Sequence, residues 1–303
     1  MSPPRPDRSI RHLARLSSGL VTAFVPVAVL AMVVLAGCTG TISNLPGGAP
    51  APYTQTGAAL NGTALAAAHL AGLRDAGSFR SNATIRLEAS TVSVEIDRTA
   101  AVDLAANRSS SRIRIVTSAT NGSGITLARY TTANATHRRM TLDVGQQTIT
   151  RYDATRAPYQ RGSLAPRPVT ASRVASADLV RAAVQRLNWT KAGVERYDGG
   201  WVTRYEASGA ANVTGLSRAA MDDAVGTANE TRLTDRSHER SVSVNATLLV
   251  SPAGVVRRLE VTVSGRSATG DPSAMTLRLT TSDLGSTHVD QPAWLAEARA
   301  RTA

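Results

Sequence analysis

The sequence is short of cysteine, lysine and large aromatic side chains. Its 303 residues include one cysteine, one lysine and two phenylalanines, and arginine supplies nearly all of the basic residues behind the net charge of +12. A single cysteine excludes an internal disulfide framework. Lys191 has no glycine loop before it, so no phosphate-binding loop of that kind is present. Sparse aromatics and the lack of a basic run indicate no nucleic-acid partner.

Catalytic and metal-binding motifs are also missing from the sequence. No two of the five histidines stand at a metal-ligand spacing, and no Gly-x-Ser-x-Gly elbow occurs. Asp222 and Asp223 are interpreted as a solvated pair in a polar linker. We therefore expect no metal, no cofactor and no enzymatic activity. A Ser-His-Asp site in a chain this rich in serine stays open.

The one cysteine follows an export signal. Four arginines precede an apolar run over residues 19–34, which ends in a sequence that resembles the lipobox of lipoproteins: Leu35, Ala36, Gly37 and Cys38. Basic residues, an apolar run and small residues before a cleavage point are typical of secretory signals. We predict that residues 1–37 are a cleaved signal and that Cys38 carries a lipid that holds the protein on the outer face of the cell membrane. The alternative is an uncleaved helix that spans the membrane. Both possibilities leave residues 39–303 outside the cell membrane.

Asparagines in this chain nearly all occur as Asn-x-Ser/Thr. Nine of the ten fit that pattern without an intervening proline, and Asn44 does not. Chance would give about two such matches at this serine and threonine content, although asparagine and threonine also favour turns and exposed strands. N-linked glycans are therefore predicted at nine positions: Asn61, Asn82, Asn107, Asn121, Asn134, Asn188, Asn212, Asn229 and Asn245.

The predicted mature chain divides into a tether and one folded domain. Residues 38–56 comprise the lipidated cysteine and a segment rich in Gly, Pro, Ala and Thr, which predicts a flexible tether. Residues 57–303 then form a single β-rich extracytoplasmic domain. It opens with a helix from an N-cap at Thr63 to a left-handed stop at Gly77. A second helix is predicted from Ser176 to Leu187, and Pro292 opens a short third helix.

Most of the domain alternates apolar and polar residues with a period of two, which indicates half-buried antiparallel strands. Turn residues separate the strands, most clearly at Asp198-Gly199-Gly200 and at Ser251-Pro252-Ala253-Gly254. The predicted fold class is α+β, mostly β: a large curved, half-barrel-like antiparallel sheet whose apolar face is covered by two or three helices. Phe79 is the only phenylalanine after the signal, so we expect an incompletely filled concavity able to hold a hydrophobic ligand. A closed, fully packed sandwich is the alternative.

Four stretches resemble an uncharacterised family of lipoproteins from halophilic archaea that is classed as a domain of unknown function. They are residues 35–40, 201–207, 255–259 and 283–287. The resemblance implies a cell-surface lipoprotein and assigns no catalytic residue. The order of a helix followed by a strand meander is also distantly similar to the lipoprotein carriers of the LolA and LppX type.

Three functional hypotheses follow from these features. The first is a lipid-anchored extracytoplasmic protein that binds a lipid or another hydrophobic molecule on its sheet. The second is a glycosylated envelope protein with a structural or interaction role and no ligand. The third is an extracellular hydrolase, which has no motif in its favour. The sequence does not fix the oligomeric state.

Overall fold

The structure is a computed structural model, and it describes residues 53, 60–118, 123–156, 169, 176–211, 216, 219, 242–266 and 270–302. The predicted signal, Cys38 and most of the predicted tether lie outside these ranges. So do Asn121, Asn212 and Asn229.

Fourteen elements have described bounds. The helices are α1 (Gly62–Ala76), α2 (Ala177–Arg186) and α3 (Leu295–Arg301). The strands are β1 (Ser78–Ala89), β2 (Val92–Asp103), β3 (Arg108–Thr117), β4 (Gly124–Thr131), β5 (Ala135–Val144), β6 (Gln147–Arg156), β7 (Thr190–Tyr197), β8 (Gly200–Ala211), β9 (Val242–Val250), β10 (Val256–Arg266) and β11 (Pro272–Ser282). None of the described helices has both the length and the apolar composition needed to cross a membrane.

All eleven strands belong to one sheet, in the order β6-β5-β4-β3-β2-β1-β11-β10-β9-β8-β7. Every neighbouring pair is antiparallel, so the sheet consists of two meanders that meet where β1 pairs with β11. The segment that contains α2 connects the two edge strands, β6 and β7. The predicted large antiparallel sheet is confirmed, and its described strands do not close into a sandwich.

The main core lies on one face of the sheet, which we call the inner face. Buried side chains from β1, β2 and β8–β11 pack there against Leu65 of α1 and against Leu179, Val180 and Val184 of α2. Because antiparallel partners point to the same side, the register extends this face across every strand. Two of the helices therefore cover the inner face, and they cover it over one part of the sheet.

The third helix packs on the opposite, outer face. There Leu295 of α3 joins Tyr130 of β4 and Val289 in a separate cluster. Tyr152 on β6 donates a hydrogen bond to Glu297 at 2.6 Å, which ties the helix to the sheet edge. α3 begins at Leu295 rather than at Pro292, whose carbonyl accepts a hydrogen bond from the Leu295 N–H in the preceding turn.

The predicted N-cap of the first helix was wrong by two residues. Asn61, not Thr63, is the cap, and its Oδ1 accepts a hydrogen bond from the Ala64 N–H at 3.0 Å. Gly62, the first residue of the helix, packs closely on α2: a Cβ there would lie 2.2 Å from the carbonyl oxygen of Val184. Gly77 ends the helix in the left-handed region, as predicted.

The second predicted helix is confirmed over Ala177–Arg186, with Ser176 and Leu187 as its flanking residues. Val180, Val184 and Leu187 are all buried. Ser176 precedes the helix with φ 52° and makes no side-chain cap. Its hydroxyl instead accepts a hydrogen bond from Arg98 of β2 at 3.1 Å. Local patterns cannot reveal this contact because the two residues are far apart in the sequence.

Both predicted turns are confirmed. Asp198 and Gly199 join β7 to β8 with positive φ at both positions, as a type I′ hairpin requires. The turn between β9 and β10 closes through a hydrogen bond from the Gly254 N–H to the Ser251 carbonyl at 2.9 Å. Tyr53 donates to that same carbonyl at 3.1 Å and is 2% exposed. The folded domain thus includes a residue from the predicted tether.

Candidate functional site

The inner face changes character across the sheet. In β9–β11 its side chains are buried beneath the helices, and Leu248, Leu259 and Leu277 have no exposed surface. In β4–β6 the same face keeps apolar side chains, but no described helix packs on them. Ile125, Val144 and Ile149 are 36%, 51% and 48% exposed. Isolated exposed apolar residues are common on proteins, whereas a contiguous block on one face is a candidate interaction site.

The strand register brings this block together. Ile125 lies opposite Leu142, which lies opposite Ile149, so one apolar row crosses three strands. Leu127 and Met140 form a second row beside it. We call the combined set the open inner surface: Ile125, Leu127, Met140, Leu142, Val144 and Ile149. It adjoins Ile113 and Ile115 of β3, which pack at the margin of the main core.

Arginines border the open inner surface at one end. Arg129 of β4 lies directly opposite Arg138 of β5, one row beyond Leu127 and Met140. Arg98 of β2 belongs to the same face, since it lies opposite Ile113, which lies opposite Leu127. We call Arg98, Arg129 and Arg138 the arginine cluster. A fourth guanidinium, that of Arg151, lies on this face opposite Met140.

The cluster is strongly positive. Arg98 is only 8% exposed, and its guanidinium donates to the Ser176 hydroxyl. Arg129 is exposed as a residue, yet partial burial of its guanidinium lowers the pKa, and the positive charges of Arg138 and Arg98 lower that pKa further. An arginine pKa begins so high that Arg129 stays charged at neutral pH. Arg129 therefore lies within electrostatic range of two further positive charges, those of Arg138 and Arg98.

Few carboxylates offset these charges. Within β1–β6 the inner face carries four arginines (98, 129, 138 and 151) and one carboxylate, that of Asp153, a net charge of +3. Asp153 lies 3.7 Å from Arg138, in an exposed and therefore weak ion pair. No carboxylate among the described residues pairs with Arg129. The outer face differs, because there Arg114 lies opposite Asp97 and Arg86 opposite Glu95.

The structure places six of the nine predicted glycosylation sites. Asn82 and Asn245 are exposed on the outer face, on the polar side of their strands as expected, and Asn134 and Asn188 are exposed as well. Asn61 and Asn107 are half-buried. Their Oδ1 atoms accept hydrogen bonds from the N–H groups of Ala64 and Val169. The four exposed sites are thus the most accessible to a transferase, and glycosylation itself stays a prediction.

Two of the described histidines have defined partners. His69 is fully buried in α1, and its Nδ1 accepts a hydrogen bond from the Val256 N–H at 3.2 Å. His69 is thus packed between the helix and the start of β10. His288 is exposed and lies 3.4 Å from Asp290. The described residues contain no group of three metal-ligating side chains.

The arginine cluster was missed by sequence reasoning, although a signal was present. In three successive strands an arginine occupies the apolar stripe two residues from an apolar side chain: Arg129 after Leu127, Arg138 before Met140, and Arg151 after Ile149. An alternating stripe that ends in arginine on each of three adjacent strands indicates a charged border, since antiparallel neighbours align the ends of such stripes.

Comparisons with known proteins give a family of unknown function (DUF7537), whose model matches residues 23–298. No curated protein matches the chain. The expected resemblance to a domain of unknown function is therefore confirmed at that level, while the archaeal source stays a prediction.

Solved structures with a similar course of the chain include three bacterial proteins. LprF from Mycobacterium bovis is 12% identical over 76% of this chain and 95% of its own, with a TM-score of 0.36. The Mycobacterium tuberculosis lipoprotein LppX is 13% identical over 75% and 98%, with a TM-score of 0.28. A DUF1329 family protein from Desulfovibrio piger is 11% identical over 79% and 97%, with a TM-score of 0.23. At these scores the likenesses carry no conclusion about function.

Proposed function

The chain belongs to the DUF7537 family, whose function is unknown, and we propose that it is a membrane-anchored extracytoplasmic lipoprotein that binds a lipid or another hydrophobic molecule on its sheet. The observation that carries this proposal is the open inner surface. Six apolar side chains from three strands share one face there, and three of them are at least a third exposed. A surface of this kind is stabilised when an apolar ligand removes it from water.

The size of the surface sets a limit on what apolar contact alone can supply. Covering a half-exposed isoleucine or valine contributes about 1 kcal/mol, because full burial is worth roughly 1.5–3 kcal/mol. Three such side chains and the three less exposed ones would together give about 4 kcal/mol before the loss of ligand freedom is counted. Micromolar affinity corresponds to about 8 kcal/mol. Contacts with the apolar part of the ligand therefore determine where it lies, and tight binding needs polar contacts as well.

Membrane attachment through Cys38 is the second part of the proposal. It is supported by the arginines, apolar run and small residues that precede this cysteine. A lipid-anchored protein with an apolar binding surface would meet its ligand at the membrane from which the ligand comes. The predicted glycans fit this location, since the exposed sites Asn82 and Asn245 lie on the outer face and leave the inner face clear.

The proposed function is tested by native mass spectrometry of the full chain purified from membranes. We expect a lipid mass on Cys38 that Cys38→Ser removes, together with a non-covalent lipid at close to one per chain. Ile149→Asp places a charge on the open inner surface and should abolish the non-covalent lipid. Thr150→Asp is the matched control, because Thr150 is exposed on the outer face next in sequence. Wild-type protein free of non-covalent lipid would favour the structural envelope role instead.

A further inference from the structure

We propose that the bound molecule is a lipid with a phosphate head group, and that the arginine cluster binds that phosphate at the end of the open inner surface. This inference rests on the proposed function and deepens it by naming the ligand class. It assigns the polar contacts that apolar burial alone leaves missing. Arg129 and Arg138 are the principal ligands, and the less exposed Arg98 adds a third positive charge.

The register supplies the geometry. Side chains directly opposite each other in an antiparallel pair have Cβ atoms about 5 Å apart. Arg129 and Arg138 form such a pair, so two guanidinium groups can approach one anion from adjacent strands. Each guanidinium presents a planar fork of donors that fits two phosphate oxygens. A phosphate monoester has three terminal oxygens, so it can bind both forks with one oxygen shared, whereas a carboxylate has only two.

The apolar rows run away from this site in one direction. Along β5 the side chains on the inner face are Arg138, Met140, Leu142 and Val144 in succession. Six residues of strand span about 20 Å, which matches a long acyl chain laid along the strand. Along β4 the order Arg129, Leu127, Ile125 runs the same way. A charged head at one end and an apolar path at the other match an amphiphile, not a free anion.

Structural needs do not explain the arrangement. Like charges directly opposite each other in a sheet are destabilising. Among the described residues of β1–β6, the one carboxylate on the inner face is that of Asp153, which pairs with Arg138 and not with Arg129. Burial lowers the pKa of Arg129, and the positive charge of Arg138 lowers that pKa further. An anion bound between the two arginines would relieve the repulsion between their charges. Such uncompensated like charges are typical of an anion-binding site.

Photo-crosslinking of the full chain in neutral-lipid nanodiscs tests the inference. Three probes are compared, each labelled with a diazirine on the same type of acyl chain: a phosphatidic acid, an uncharged diacylglycerol and a free fatty acid. We expect the phosphatidic acid to label peptides of β4–β6 at least tenfold more than the other two. Arg129→Gln/Arg138→Gln should remove that preference. Arg112→Gln/Arg114→Gln removes the same charge from exposed outer-face positions of β3 and should keep it.

The outcomes separate the two proposals. If all three probes label β4–β6 equally and the double variant changes nothing, the surface binds acyl chains without reading the head group, and only this inference fails. If the fatty acid is preferred, the anion is a carboxylate and the phosphate assignment is overturned. If no probe labels the sheet, the proposed function itself fails. Arg129→Lys/Arg138→Lys keeps the charge but not the forked donors, and should retain a weakened preference while the fold is unchanged.

Discussion

Matched leucine-to-alanine substitutions on the two parts of the inner face should differ in cost. Leu277 on β11 is fully buried in the main core, between Ile85 of β1 and Val261 of β10. Leu142 on β5 is half-buried, and its cross-strand neighbours Ile125 and Ile149 are 36% and 48% exposed. The chemistry removed is the same in both variants, so the difference in cost reports how each site is covered.

The expected magnitudes follow from burial. Truncating a fully buried leucine leaves a cavity and costs about 3–4 kcal/mol. Leu142 already contacts water over part of its surface, and no cavity forms where solvent enters, so its truncation should cost about 1 kcal/mol. Equilibrium unfolding in guanidinium chloride, followed by circular dichroism, measures both values. Equal costs for Leu142→Ala and Leu277→Ala would show that β4–β6 are as tightly packed as the core, and the open inner surface would not exist.

Further predictions concern the helix contact, an outer-face charge network and the glycans. Gly62→Ala should destabilise the fold by about 1–2 kcal/mol in the same unfolding experiment, because its Cβ would clash with the Val184 carbonyl, while Gly193→Ala meets open space and should be neutral. The pKa of Glu260 is lowered below its ordinary value, chiefly by the hydrogen bond from Arg278. The ionised Glu260 carboxylate stabilises the fold fully above its pKa in the unfolded chain, about 4.5. That stabilisation is lost as the pH falls from there through the lower pKa of Glu260 in the folded protein. Glu260→Gln should therefore be less stable than wild type at pH 7 by about 0.5 kcal/mol and equally stable at the acid end, as urea titrations at several pH values would show. Peptide mapping of glycans should find Asn82 more fully occupied than the half-buried Asn107, and the reverse order would contradict the accessibility argument.

Local sequence patterns predicted the elements of the fold well, since their causes are local. Alternation along β1 and β5 and the positive φ at Gly77 and Gly199 depend on neighbouring residues alone. The cap was predicted at Thr63, two residues late, because threonine is itself a common cap residue. The close approach of Gly62 to α2 is a tertiary contact that local patterns do not contain.

Features that depend on strand order could not be predicted from one sequence. Nothing local shows that β1 pairs with β11, and that pairing is what joins the two meanders into one sheet. Nor can the sequence show that α1 and α2 cover only part of the inner face. The opposition of Arg129 to Arg138 follows from the register of the β4–β5 hairpin. Once that register is known, the arginines at the ends of the apolar stripes become a recognisable site.

Fluorescence quenching by lipids brominated on their acyl chains tests most directly whether a lipid tail lies on the open inner surface. Ile149→Trp puts an indole on that surface, and Thr150→Trp puts one on the outer face at the next residue. Quenching above the background of the three native tryptophans should be strong for Ile149→Trp and absent for Thr150→Trp. Equal quenching at both positions, or none at either, would contradict the account.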